Sequence, residues 1–539
     1  MRRMGPVIAA LGCALLFGAA QAATDGDDAV PAPFTHVGLD DTRAALQDAL
    51  TGRADPRLLA FYDSRDFAPV WSGSDDAQTM ATQLRETLAQ ASAQGLRSAD
   101  YTAGIDRWAH GTQDAKDAAA YDLAMTTALL RYARDVRNGR VRPKDVYSDV
   151  SLPSQPFDAL AGLNRALKND ALDKFLADLP PPDPGYRGLV TALARYRAIL
   201  IGGGWPSVTP AGKNLAQRLA AEDMVLDAEA DPSDADVQRA LVRFQARNGL
   251  PPDGKLSQDT LKALNISAAW RVQQILANME RWRWAPRGFE RRYVLVNVPD
   301  QSLAFMDDGK AVLTSKVVIG KKTSPTPILR TQVEAVVANP AWDIPGDIAA
   351  KQLLPKLRHN ADYLATRNMV VADAPLDDPH GTKVNWRGMN ANTLPALQQP
   401  PGADNVLGVL MLDMPNVFDV YLHDTSNKKL FLSPSRLMSN GCVRVQEIFP
   451  LASLALTGDP QDGLERLTQA VAAGETQRIA LRTPLPVYMF YWTAVADSDG
   501  TTGFRPDLYD RDKRLLAKLA APAPMKAKPD APAKVAAAQ

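Results

Sequence analysis

Between residues 23 and 205 apolar side chains recur with the period of an α-helix. Leu129, Tyr132, Ala133 and Val136 fall at i, i+3, i+4 and i+7, which predicts a helix ending near Gly139. Residues 189–200 predict another, set between the proline-rich break at 180–184 and Gly202-Gly203-Gly204-Trp205-Pro206. From 207 to 266 the units shorten. Val237, Leu241 and Phe244 share a helical face, Asp253-Gly254 marks a turn, and Ser257 suits the N-cap of a short helix carrying Leu261 and Leu264. A further helix from Ser267 to about Trp284 places Val272, Ile275, Met279 and Trp282 on one face.

At Tyr293 the period changes to alternation. Residues 293–299 predict a strand, 302–319 a hairpin turning at Asp308-Gly309, and 333–337, 418–422 and 487–494 further strands. Residues 341–404, rich in Pro, Asp, Asn and Gly with one helix-like run over 347–357, interrupt the sheet. So long an irregular insertion beside a sheet predicts a lid or substrate-binding element. The expected fold is α+β and multidomain. A helical scaffold (23–206), a small helical domain (207–266) and a linker helix (267–290) precede a mainly β domain (291–519) with a capping insertion at about 341–404. The tail over 520–539, made of Ala, Pro and Lys, lacks the means to build a core and is expected to be disordered.

Composition narrows the function. Lys plus Arg and Asp plus Glu both number 61 in the 539-residue chain, so no basic surplus points to nucleic acid. Two cysteines and five histidines exclude a disulfide scaffold and a Cys-rich zinc module. Arg2 and Arg3 precede an apolar run over 7–20, and Ala20-Gln21-Ala22 is a small-residue cleavage site, so residues 1–22 are expected to be a secretory signal peptide. No later stretch approaches about 20 apolar residues, so no transmembrane segment is expected in the mature chain. Lipidation at Cys13 is disfavoured, because Ala10 stands where a lipobox carries Leu. Cleavage leaves Cys442 as the lone thiol, either buried and inert or reactive.

The chemistry-bearing stretch is Tyr421-Leu-His-Asp-Thr-Ser426 followed by Ser439-Asn-Gly-Cys-Val-Arg-Val445. Alternation puts Tyr421 and His423 on one face, and Gly441 permits backbone angles that present Cys442 at the lip of a sheet. Only a thiolate attacks carbonyls well, so an imidazole that takes the thiol proton and later protonates a leaving amine is the needed partner. The Gly441 and Cys442 amides are candidate oxyanion donors, with the Tyr421 hydroxyl assisting. Arg444 either meets a substrate carboxylate or pairs an internal acid. Asp424 is poorly placed to orient His423, since i+1 on a strand points away, so a backbone carbonyl is the expected orienting group. Neither His-x-His nor His-Glu-x-x-His occurs, so no metal and no cofactor is expected.

His423, Ser439, Gly441, Cys442, Val443 and Arg444 resemble the signature of the L,D-transpeptidases, with Asn440 where the family often has histidine. The phrase RFQARNGLPPDGKLSQDTLKALN resembles a peptidoglycan-binding domain, and GLRSADY, RNGRV, GGWP and NMERWRW resemble the large periplasmic branch of that family. Every histidine precedes Cys442, whereas papain-like peptidases place theirs after the cysteine. The resemblance implies a periplasmic enzyme that forms 3→3 peptidoglycan crosslinks. Cys442 is then the nucleophile and His423 the base, while Arg444, Ser439 and Asn440 bind substrate. The stem peptides are its substrates, and wall synthases and carboxypeptidases its expected partners. L,D-carboxypeptidase activity or D-amino-acid exchange are the alternatives within enzymes; a wall-binding scaffold with an inactive catalytic domain is the alternative outside them.

Overall fold

The structure, a computed structural model, describes residues 38–51, 55–109, 111–223, 225–227 and 232–521. The expected signal peptide with Cys13, and the tail beyond Ala521, lie outside the described residues. No helix among the described residues is long and apolar enough to cross a membrane.

The architecture is α+β: a helical N-terminal region, a small helical unit, then a β-rich domain. The first helix recognised by its period spans Ala115–Asn138. Asp114 caps it by accepting from the Asp117 amide (2.8 Å), and it stops at Gly139. Leu129, Tyr132, Ala133 and Val136 are buried in a core shared with Leu46, Trp71, Leu84 and Leu163. A second small core gathers Leu219, Leu241, Phe244 and Leu264, where Ser257 caps Gln258–Leu264. The helix Pro184–Ile201 instead buries Tyr186, Leu189, Leu193 and Tyr196 in the core of the sheet.

Eight strands close into a ring. In spatial order they are Ile328–Ala338, Gln477–Phe490, Arg292–Asn297, Ser302–Asp307, Lys310–Gly320, Val443–Val445, Leu422–His423 and Leu410–Asp413. The last pairs back onto the first, so none of the eight is left as a free edge. The hairpin turns at Asp308 (φ 50°) and Gly309 (φ 74°), the paired positive angles that match strand twist.

Two strands differ from their expected bounds. The strand expected over 418–422 is reduced to Leu422–His423. Asn416 takes the preceding backbone out of the ladder: its Oδ1 accepts from the Phe418 amide, its Nδ2 donates to Met414 and Val420 carbonyls, and Asp419 sits at φ 50°. The strand expected over 487–494 begins at Gln477, and a register shift between Ala480 and Leu485, around Pro484, hid its alternation.

The insertion is a folded subdomain. Trp342–Ile344, Leu397–Gln399 and Val370–Val371 form a three-stranded sheet, over a core of Ile344, Leu353, Leu357, Leu364 and Trp386. At its stalk Asn405, 1% exposed, donates to the Pro340, Gln399 and Pro400 carbonyls and so ties the two ends together.

Most of the helix Ala268–Trp284 is buried, including Arg271, Glu280, Arg281 and Arg283, while Ala269 and Gln273 stay exposed. Burying such charges requires partners. Arg283 pairs Glu280 (2.7 Å) and Arg281 pairs Asp512 (2.6 Å) of the C-terminal helix Arg511–Ala520, while Glu280 also accepts from the Val141 amide (2.7 Å). Replacing Asp512 by Ala would strand the Arg281 cation in the interior. It is expected to lower unfolding stability by about 3 kcal/mol, read as a fall in the urea midpoint.

Candidate active site

Register builds the site. Leu422–His423 and Val443–Val445 run parallel with Leu422 opposite Val443 and His423 opposite Arg444. One residue back, Tyr421 lies beside Cys442, held by the Val443 amide donating to the Tyr421 carbonyl (2.9 Å). Strand alternation then puts Tyr421, His423, Cys442 and Arg444 on one face. Leu422, Val443 and Val445 point the other way, fully buried in the ring's core.

The turn that carries the nucleophile is shaped by hydrogen bonds around Gly441. Its φ is 122°, and a Cβ there would meet nothing closer than 3.5 Å, so the requirement for glycine is conformational rather than steric. The Gly441 amide donates to Ser439 Oγ (3.1 Å), which itself donates to the Cys442 carbonyl (2.5 Å). Thr326 Oγ1 donates to the Gly441 carbonyl (2.7 Å) while accepting from the Gly320 amide (2.9 Å). This corrects one expectation. The Gly441 N–H already has an acceptor inside the turn, so it is not a free oxyanion donor. Of the expected donors, the Cys442 amide and the Tyr421 hydroxyl are the candidates that remain. Ser439, 3% exposed, is likewise a brace of the turn rather than a surface offered to substrate. Nothing in the local sequence marked Thr326, which lies more than a hundred residues upstream in a Ser-Pro-Thr-Pro loop.

Cys442 is half-buried, with its thiol donating to the Asp419 carbonyl across 3.8 Å. Burial pushes the thiol pKa up; the Tyr421 amide and the Arg444 guanidinium pull against it. His423, 3% exposed, is pushed down to about 4 by burial and then by the Arg444 charge, against backbone groups of Asp424 and Leu407. Its Nδ1 is buried with no hydrogen-bond partner. A buried nitrogen without a donor is the form in which an imidazole accepts a proton. Burial thus favours the uncharged forms of both groups, thiol and neutral imidazole.

Asp424 is engaged elsewhere, pairing Lys428 and accepting from the Val409 amide (3.1 Å). Burial lowers the Arg444 pKa and the Cys442 sulfur, not a carboxylate, opposes it; its buried Nε has no partner. Of the two readings for Arg444, the internal acid finds no support among the described residues. Burial and then the Asp419 carboxylate raise the Tyr421 pKa, keeping its hydroxyl protonated and able to donate. Asn440 is exposed and its Oδ1 accepts from Gln352 Nε2 of the capping subdomain (3.0 Å). Among the described residues no group of three or more His, Cys, Asp or Glu side chains lies close enough to hold a metal ion.

The family model "L,D-transpeptidase catalytic domain" matches residues 291–462, which contain this whole face. Residues 291–462 are therefore similar to L,D-transpeptidase catalytic domains. Residues 213–264 match "Putative peptidoglycan binding domain" and 56–193 match "Scaffold domain". A Haemophilus influenzae protein described as "Putative L,D-transpeptidase" is 25% identical over 470 residues, 86% of this chain and 80% of that one. A solved L,D-transpeptidase from Stackebrandtia nassauensis is 14% identical over 51% of this chain and 88% of its own, with a TM-score of 0.21. The structure of an Ldtfm-avibactam carbamoyl enzyme is 15% identical over 38% of this chain, spanning 49% of that one, with a TM-score of 0.18. At such scores the two superpositions have no bearing on the fold.

Two outcomes are expected from this site. Iodoacetamide alkylation of Cys442, followed by mass spectrometry, should still be climbing with pH above the ordinary thiol pKa of about 8.5, because burial raises that of Cys442. A plateau between about pH 5 and 8 would reveal a thiolate–imidazolium pair instead. Ser439→Ala removes both braces of the turn and should lower stability by about 1–2 kcal/mol, measured by thermal unfolding.

Proposed function

We propose that this protein forms 3→3 crosslinks between peptidoglycan stem peptides in the periplasm, through an acyl-enzyme on Cys442. The observation that supports this reading is the single face on which a half-buried thiol, an imidazole with a vacant buried nitrogen and an unpaired guanidinium sit together.

In the first half-reaction His423 Nδ1 accepts the thiol proton as Cys442 Sγ attacks the carbonyl at the L-centre of the third stem residue. The developing oxyanion is met by the Cys442 amide and the Tyr421 hydroxyl, each such donor being worth about 3 kcal/mol. The C–N bond breaks, and the imidazolium gives its proton to the departing D-Ala amine. A thioester remains. In the second half-reaction the side-chain amine of the third residue of another stem attacks, the C–S bond breaks and the proton returns to sulfur. Arg444 holds a stem carboxylate throughout. The unit at 213–264 binds the wall and holds the catalytic domain against its polymeric substrate. Export places the enzyme where peptidoglycan lies, beside the synthases and carboxypeptidases that make and trim its stems.

The test is to incubate the protein with disaccharide-tetrapeptide and read protein and muropeptides by mass spectrometry. A thioester on Cys442 with tetra-tripeptide dimers is expected. Tripeptide alone would make it an L,D-carboxypeptidase, and an unmodified Cys442 with intact substrate would leave a wall-binding scaffold. Cys442→Ala should abolish D-Ala release, and His423→Ala should slow it by roughly 10²–10⁴.

A further inference from the structure

The capping subdomain has its own core and its own sheet, and joins the ring through a stalk tied by Asn405. At the stalk's other strand Asn339 fixes the ring side, with its Nδ2 donating to the Val471 carbonyl (2.9 Å). The cap is thus built to move as one body about a pinned base. Beyond the stalk, one side-chain hydrogen bond among the described residues joins it to the catalytic domain, Gln352 Nε2 to Asn440 Oδ1 at 3.0 Å. Asn440 is two residues from the nucleophile and immediately precedes Gly441.

Gln352 lies in a π-helical segment, Ala349–Leu353, set between Gly346–Ile348 and Leu354–His359. Such segments are rare, and they displace one residue from the regular helical surface. Here Leu353 stays in the cap's core while Gln352 reaches out to the catalytic turn. We propose that the Gln352–Asn440 hydrogen bond latches the cap over Cys442, making Gln352 a positioning residue that decides whether an amine or water resolves the acyl-enzyme. This rests on the L,D-transpeptidase reading above.

The two resolving reactions differ only in the attacking atom. An amine nitrogen bonds to the thioester carbonyl carbon, the C–S bond breaks and the amine proton re-forms the thiol, giving a crosslink. Water does the same through oxygen and gives a tripeptide acid. A closed cap excludes bulk water from the thioester and leaves the amine, delivered on a bound acceptor stem, as the nucleophile. One neutral, water-accessible hydrogen bond is weak enough to open for that acceptor and close again within a turnover.

The experiment compares the full protein with Gln352→Ala and Gln352→Glu. Glu retains an acceptor that the Asn440 amide can meet after rotating its side chain. Hydrogen–deuterium exchange without substrate should quicken at residues 346–359 and 437–442 in Gln352→Ala and return in Gln352→Glu. With donor and acceptor stems, Gln352→Ala should raise the ratio of tripeptide to dimer roughly fivefold, with total D-Ala release little changed and Gln352→Glu restoring the ratio. Unchanged exchange would overturn the latch whatever the chemistry. Quickened exchange with an unchanged ratio would overturn its role in choosing the nucleophile. A wild-type protein that releases no D-Ala would overturn the transpeptidase reading itself, a result the substrate-free exchange measurement tells apart from failure of the latch.

Discussion

Charges inside a protein must be met by partners, and the helix Ala268–Trp284 carries several of them into the centre of this one. Besides the Arg283–Glu280 pair within the helix, their partners come from other parts of the chain. Gln94 and Tyr186 meet Arg283, Val141 meets Glu280, and Asp512 meets Arg281. Asn278 of the helix and Thr493 of the sheet domain exchange hydrogen bonds with each other. The helical region, the ring and the C-terminal helix are therefore fastened to one axle rather than strung on linkers. The same C-terminal helix reaches the site, since Arg511 donates to the carbonyl of Thr326, whose hydroxyl holds Gly441.

The ring contributes a surface on which chemistry needs little motion. Two short parallel strands set His423 and the Cys442 turn side by side, and the closed ladder around them fixes their spacing. Burial keeps both groups uncharged at rest. A resting thiol of this kind resists oxidation and stray alkylation better than a standing thiolate.

Much of this was legible beforehand, for local reasons. The helical stripe around Leu129, the N-cap at Ser257, the turn at Asp308-Gly309 and the shared face of Tyr421 and His423 follow from spacing within a few residues. The need for glycine at 441 was legible in the same way. What escaped were contacts between residues far apart in the chain. The acceptor of the Gly441 amide is two residues away but depends on a turn that only the fold closes, and Thr326 arrives from another strand's end. The insertion read as irregular because its strands are two or three residues long, too short for alternation to register. The helix over 268–284 showed an apolar stripe that promised one buried face; its charged residues gave no sign that they too were enclosed.

The small unit at 213–264 is clasped rather than tethered. Trp205 donates to the Ile266 carbonyl, Arg271 to that of Ala263 (3.2 Å), and Tyr196 to Glu222 (2.7 Å), while Phe504 donates to Asn248 (3.3 Å). A module held that way cannot swing to search its surroundings as a beaded domain would. Its separation from Cys442 is a constant of the molecule, so the protein behaves as a ruler. On the function proposed above, a polymer gripped by the module would meet the thiol at one set distance, and the pattern of joints in the product would inherit that length.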